Sequence, residues 1–188
     1  AVLPGSRQAE VAWCGPHFFG ACERVLDFDS RSIFLVPAAD AAREAQIRTL
    51  LAQFPRAQKA TRIISAASHT VMQASDAILV ASGTATLEAA LFKRPMVVGY
   101  AMPGFTGILM QKKGIIDFVS LPNILAGDRI VPEILQYYCR AETLAFALWH
   151  EYGRRNDAKL MDRFASMHES LLRDTPKLAA EAIKQVCG

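Results

Sequence analysis

The order of segments along the chain predicts an α/β fold: a Rossmann-like parallel sheet with helices on both faces, followed by a C-terminal helical extension. Three observations carry this expectation. Short β-branched or aliphatic runs alternate with longer segments of helical period, the signature of βα units assembled on a parallel sheet. The short runs are continuously apolar rather than alternating, as strands covered on both faces must be. Beyond about residue 129 such runs stop and only helical patterning remains.

Taken in order, strands are expected at residues 1–3, 32–36, 62–65, 77–80 and 96–99. Between them, 10–26 and 41–54 carry apolar residues at three- and four-residue intervals. Residues 84–92 form a shorter segment of the same kind, so all three read as crossover helices. Pro16, preceded by Gly15, falls inside the first and predicts that this helix kinks or begins late. In the tail, 132–138, 141–150, 157–172 and 177–186 read as helices. Pro132 and Pro176 stand near helix starts, where a missing amide hydrogen is tolerated, and Asp174 or Thr175 is placed to cap the last helix. With no internal repeat and no low-complexity linker, the expected partition is an α/β domain over 1–128 and a helical extension over 129–188.

A chain of 188 residues that is 52% hydrophobic is neither disordered nor fibrous. Its formal net charge of +3 mildly favours anionic partners but lacks the concentrated basicity of a nucleic-acid binder, so none is expected. Cys14, Cys22, Cys139 and Cys187 lie far apart without CxxC pairing and read as reduced, mostly buried thiols of a cytoplasmic protein. His17, His69, His150 and His168 are equally scattered, with no HExxH, and neither a metal nor a cofactor is expected. No apolar run reaches the roughly 20 residues needed to cross a bilayer, which leaves peripheral membrane contact open. The opening Ala1-Val2-Leu3, without Met or a charged leader, predicts a piece of a longer polypeptide.

Residues 76–88 are the most informative stretch: an apolar strand, the small turn Ser82-Gly83-Thr84, then a helix through Ala85, Thr86 and Glu88. A turn of this kind aims free amides beyond the strand's end. Residues this small let a diphosphate approach the backbone while the helix dipole stabilises its charge. Glu88, one turn further, is placed to accept hydrogen bonds from ribose hydroxyls. An ordinary capped helix after a buried strand has the same pattern. Pro4-Gly5-Ser6-Arg7 is a second turn between strand and helix, in which Gly5 allows a tight bend, Ser6 can cap the helix and Arg7 offers a fork of donors to phosphate. A plain turn with a solvated Arg explains it equally well. In a doubly wound sheet both turns reach the carboxyl edge where such folds bind ligands. Neither contains GxGxxG and the chain has no GxxxxGK[ST], which disfavours a hydride-transfer enzyme or an NTPase.

Leu3-Pro4-Gly5-Ser6-Arg7 with Glu10, residues 81–91 with Pro95, and Leu121-Pro122-Asn123-Ile124-Leu125-Ala126-Gly127 together resemble the lipid-A-disaccharide synthase family over the whole chain. The third block, followed by Val131-Pro132-Glu133-Ile134-Leu135-Gln136, is not a generic nucleotide-binding turn. The resemblance implies the donor-binding, C-terminal half of a two-domain GT-B glycosyltransferase. It implies transfer of 2,3-diacylglucosamine from UDP-2,3-diacylglucosamine to 2,3-diacylglucosamine 1-phosphate, at the cytoplasmic face of the inner membrane. It further implies that Arg7 and Asn123 are needed for activity, that Gly5, Ser6, Arg7 and residues Ser82, Gly83, Thr84, Ala85 and Thr86 form the UDP site, and that Glu88 holds the ribose. For Asn123 a turn-forming role after Pro122 is the alternative. The catalytic base belongs, on this resemblance, to an N-terminal half absent here, so the chain alone is expected to bind UDP and turn over little. The helical extension would pack on its own domain, on that half, or on a second copy as a homodimer.

Two further expectations follow from apolar stripes. Residues 100–116, with Phe105, Ile108, Leu109 and Met110 beside Lys112 and Lys113, read either as an acyl-chain or membrane contact or as a core-facing helix. Phe146, Leu148, Trp149, Leu160, Met161 and Phe164 must be buried somewhere. The rival functions are another UDP-sugar enzyme of the same architecture, a glucosaminyltransferase or an epimerase, and a non-catalytic nucleotide-binding module.

Overall fold

The computed structural model describes residues 1–101 and 117–187. The chain runs β1 (Val2–Leu3), α1 (Gln8–Phe28), β2 (Phe34–Ala38), α2 (Ala41–Leu51), α3 (Pro55–Ala60), β3 (Thr61–Ser65), α4 (Ser68–Gln73), β4 (Ile78–Ala81), α5 (Thr84–Leu91) and β5 (Met96–Tyr100). After the segment 102–116 it continues through α6 (Leu121–Ala126), β6 (Glu133–Leu135), a 3-10 turn (Gln136–Tyr138), α7 (Ala141–Gly153), α8 (Ala158–Leu171) and α9 (Thr175–Cys187). The expected fold class is the one observed, an α/β chain with a parallel sheet between helices.

Every strand pair is parallel, in the orders β1-β4-β5-β6 and β2-β3, with β2 lying alongside β1. Register places Leu3 opposite Val80, Val80 opposite Val98 and Gly99 opposite Ile134. The chain therefore progresses one way from β1 to β3 and the other way from β4 to β6. The connections that leave β1 and β4 run to opposite faces of the sheet, α1 on one and α5 on the other, leaving a crevice at this switch point.

The central strands β4 and β5 bury both of their faces, which is why their sequences read as unbroken apolar runs. Leu79, Val97, Val2 and Val36 join Phe18, Phe19 and Leu144 in one core layer beneath α1 and α7. Ile78, Val80, Met96 and Val98 join Met72, Ala89 and Phe164 in the other, beneath α4, α5 and α8. Gly99 lets the first layer close on the sheet. A Cβ there would lie 2.6 Å from Phe18 Cε1 and 3.2 Å from Leu144 Cδ2.

Two expectations are corrected. The first helix does not begin late: it starts at Gln8 and runs on through Pro16. The carbonyl that Pro16 leaves without a donor is that of Ala12, on the exposed side of the helix, where water can serve it. Residues 132–138 form not a helix but the edge strand β6 and a 3-10 turn, because pairing with β5 recruits Glu133–Leu135 into the sheet. Of the tail's apolar residues, Leu148, Leu160 and Phe164 are buried within the chain, whereas Phe146 and Trp149 sit on its outer surface against Phe28. Asp174 does cap α9, its carboxylate accepting from the Lys177 amide at 3.2 Å. Short helices α3, α4 and α6 were not anticipated. Among the described residues no helix is long and apolar enough to cross a membrane. Of the stripe proposed at 100–116, residues 102–116 lie outside the described residues.

Candidate functional site

Along the carboxyl edge of β1, β2, β3 and β4 runs an open cleft of about 550 Å3. It brings Gly5, Ser6 and Arg7 from the first turn together with Ser82, Gly83, Thr84, Ala85 and Glu88 from the β4–α5 turn. Arg7 and Ser82 thus share one hollow.

The two turns are not equivalent. At the first, Glu10 folds back so that its Oε2 accepts from the amides of Ser6 at 3.0 Å and Arg7 at 3.2 Å, while Oε1 pairs with Arg7 Nη1 at 3.0 Å. The helix start is capped by Glu10 rather than by Ser6, and those two amides are already spent. Gly5, at a φ of +122°, is required here, since a Cβ would fall 2.4 Å from Glu10 Cβ. Arg7 itself remains largely exposed at the rim, with donors to spare for an anion.

At the second turn the seat is open. Gly83 is the N-cap of α5 with no side-chain cap, so the amides of Gly83, Thr84 and Ala85 have no partner among the described residues. A Cβ built at Gly83 meets nothing within 4 Å. Neither Ser82 nor Thr86 has a hydroxyl proton to offer: Ser82 Oγ donates to the Val119 carbonyl at 3.2 Å and Thr86 Oγ1 to that of Gly83 at 2.7 Å. Thr86 is fully buried and does not line the cleft, a correction to the expected phosphate site. Its buried hydroxyl holds the turn's shape instead. Glu88 reaches the cleft with one carboxylate oxygen 3.1 Å from His69 Nε2, the other having no partner among the described residues.

Asn123 lies elsewhere. It is fully buried, its Nδ2 donates to Val131 O and Glu133 Oε1, both at 2.9 Å, and its Oδ1 accepts from Ile130 and Val131 amides at 2.9 and 3.0 Å. Every hydrogen-bonding position of this amide is used within the chain.

Sequence reasoning missed the small residues at the carboxyl ends of β2 and β3, Pro37-Ala38-Ala39 and Ala66-Ala67-Ser68, which form the cleft's far wall. Ala66 adopts a left-handed φ of 51°, uncommon for a residue with a Cβ. The signal was present: like Ser82-Gly83-Thr84, both runs are small residues at the carboxyl end of a strand. His69 and Glu133 were also missed, for want of any local pattern. Of the described thiols, Cys14, Cys22 and Cys139, none is poised for chemistry. Burial pushes Cys22 and Cys139 up to about 12 and raises Cys14 as well. Burial likewise raises the Tyr100 hydroxyl at the end of β5. Among the described residues no three His, Cys, Asp or Glu side chains converge as a metal site would require.

A family model described as lipid-A-disaccharide synthetase matches residues 1–186. The chain belongs to that family. The lipid-A-disaccharide synthase of Burkholderia vietnamiensis (strain G4 / LMG 22486) is 44% identical over 189 residues, covering 99% of this chain and 48% of that protein. The lipid-A-disaccharide synthase of Cupriavidus pinatubonensis (strain JMP 134 / LMG 1197) is 44% identical over 184 residues, 97% of this chain and 45% of its own length. The chain thus spans about half the length of the curated relatives it matches. The crystal structure of TarM superposes with a TM-score of 0.58 at 10% identity over 97% of this chain and 34% of that one, a likeness of fold. Within the lipid-A-disaccharide synthetase family, then, this chain carries the α/β unit whose switch-point cleft is described above.

Proposed function

We propose that the chain is the donor-binding half of a GT-B glycosyltransferase, seating the diphosphate of UDP-2,3-diacylglucosamine on the β4–α5 turn. The observation that carries this reading is the open run of Gly83, Thr84 and Ala85 amides at the start of α5, facing a cleft at the β1/β4 switch point. Three aligned donors and the helix dipole favour an anion there. Arg7, across the hollow, adds a cation that also balances the Glu10 carboxylate beside it. Glu88, with an acceptor oxygen to offer, holds the ribose hydroxyls.

In the reaction implied by the family, the anomeric carbon gains positive character as UDP departs and negative charge accumulates on the diphosphate. Preorganised amides stabilise that charge most where it is largest, in the transition state, so this half promotes departure of the leaving group. The acceptor, 2,3-diacylglucosamine 1-phosphate, and the base that deprotonates its hydroxyl belong to the other half of the enzyme, and the work takes place at the cytoplasmic face of the inner membrane. Arg7 acts on the leaving group directly, whereas Asn123 acts through the backbone it holds. Combining the chain with the N-terminal half of a family member and assaying disaccharide and UDP release tests the proposal. Activity is expected only with both parts present and is lost on Arg7→Ala; release of product by the chain alone would contradict the division of labour.

A further inference from the structure

We propose that Glu133 is a positioning residue of the cleft, acting through the backbone of Val119 to set the hydrogen-bonding sense of Ser82. The inference rests on the reading of the cleft as a UDP site and adds a second recognition element to it.

Glu133 opens β6, and its carboxylate gathers the backbone of Val119 and Ser120. Oε1 accepts from the Ser120 amide at 2.9 Å, the Ser120 hydroxyl at 2.6 Å and Asn123 Nδ2 at 2.9 Å, and the Val119 amide lies 3.2 and 3.1 Å from Oε1 and Oε2. The saturated Asn123 fixes the same carboxylate from the other side, through Ile130 and Val131. With its N–H held inward by Glu133, Val119 presents its carbonyl to Ser82, 3.2 Å from Oγ.

A serine hydroxyl has one proton and two lone pairs. That proton is committed to Val119, so Ser82 meets the cleft as an acceptor. It therefore does not serve a phosphate oxygen, which needs a donor, and instead receives a hydroxyl or N–H of the ligand, the chemistry of a ribose or sugar. The anion is left to the amides of residues 83–85. Replacing the Glu133 carboxylate by an amide turns one acceptor into a donor facing the N–H groups of Val119 and Ser120. The Val119 carbonyl is then displaced and the Ser82 proton released.

The test uses the chain itself, titrated with UDP by calorimetry, together with backbone amide NMR of the ligand-free chain. Glu133→Gln is expected to weaken UDP binding about tenfold, and Ser82→Ala roughly three- to tenfold, the worth of one hydrogen bond. The double variant should be no weaker than Glu133→Gln alone, because both act on one contact. Glu133→Asp should recover part of the loss. In the free chain, Glu133→Gln should move the amide signals of Ser82 and Gly83 as well as those of 119–120. Additive losses, or shifts confined to 119–133, would overturn the proposal. Should Glu133→Gln fail to fold, Ser120→Ala, which removes one of the carboxylate's partners, must show the same pattern at smaller size. Absence of UDP binding by the wild type sinks the UDP reading instead, and the ligand-free spectra still decide the coupling.

Discussion

Gly83 has no reason within the chain to be glycine. Its φ of 161° is extended backbone open to any residue, and a Cβ there meets no atom within 4 Å. The space is accounted for if a diphosphate must come close to the backbone. Serine at this position makes a sharp test, because it is as good an N-cap as glycine or better by a few tenths of a kcal/mol. Gly83→Ser should leave the melting temperature unchanged or slightly higher, while its hydroxyl takes the free amides and weakens UDP binding at least about tenfold. Equal affinity would remove the amides from the site. Much at this scale was legible in the sequence: small residues after a strand imply close approach, and Gly5, Arg7, Ser82, Gly83 and Glu88 do share one cleft. Glu10 was less so, since its capture of two amides depends on the side chain folding back over Gly5. The roles of Asn123 and Glu133 were not legible at all. Their meaning comes from bonds to each other and to Val119 and Val131, across 8 to 14 residues, that no local pattern announces.

Among elements, the strands are the best read. Ile78–Ala81 and Met96–Tyr100 are apolar at every position because two core layers cover them, and that pattern survives in sequence. Strand β6 escaped notice because it has three residues, and Ile134 and Leu135, with Tyr138 of the following 3-10 turn, fall at helical spacing after a proline. Pairing with β5 overrides that local preference. The close seating of α1 and α7 on β5 gives a prediction: Gly99→Ala should lower stability by about 1–3 kcal/mol in thermal or denaturant unfolding, through the clash with Phe18 and Leu144. An unchanged midpoint would mean that these helices have slack. The start of α8 gives a second. Asp157 caps it, and the Leu160 amide, then Arg154, holds its carboxyl below the usual carboxylate range. With the folded value below the unfolded one, its stabilisation is full above the unfolded range, near 4, and fades as pH falls through the folded value. The melting-temperature gap between wild type and Asp157→Ala should therefore narrow from pH 7 toward pH 3. A constant gap would contradict the assignment.

For the whole molecule, strand order matters most. Placing β1 beside β4 sets the turns at Gly5 and Gly83 on either side of one crevice, although 78 residues of sequence separate them. Family membership and fold agree with that geometry, and the chain spans about half of its relatives' length. If, as proposed, the donor site lies within this chain and the acceptor chemistry is supplied from elsewhere, binding without turnover is the expected behaviour of the chain by itself. Calorimetric titration of the chain with UDP, with NAD as the contrasting ligand, tests this most directly. Saturable one-to-one binding of UDP that is lost in Gly83→Ser, with no heat from NAD, is the predicted result; binding of NAD to the exclusion of UDP would contradict it.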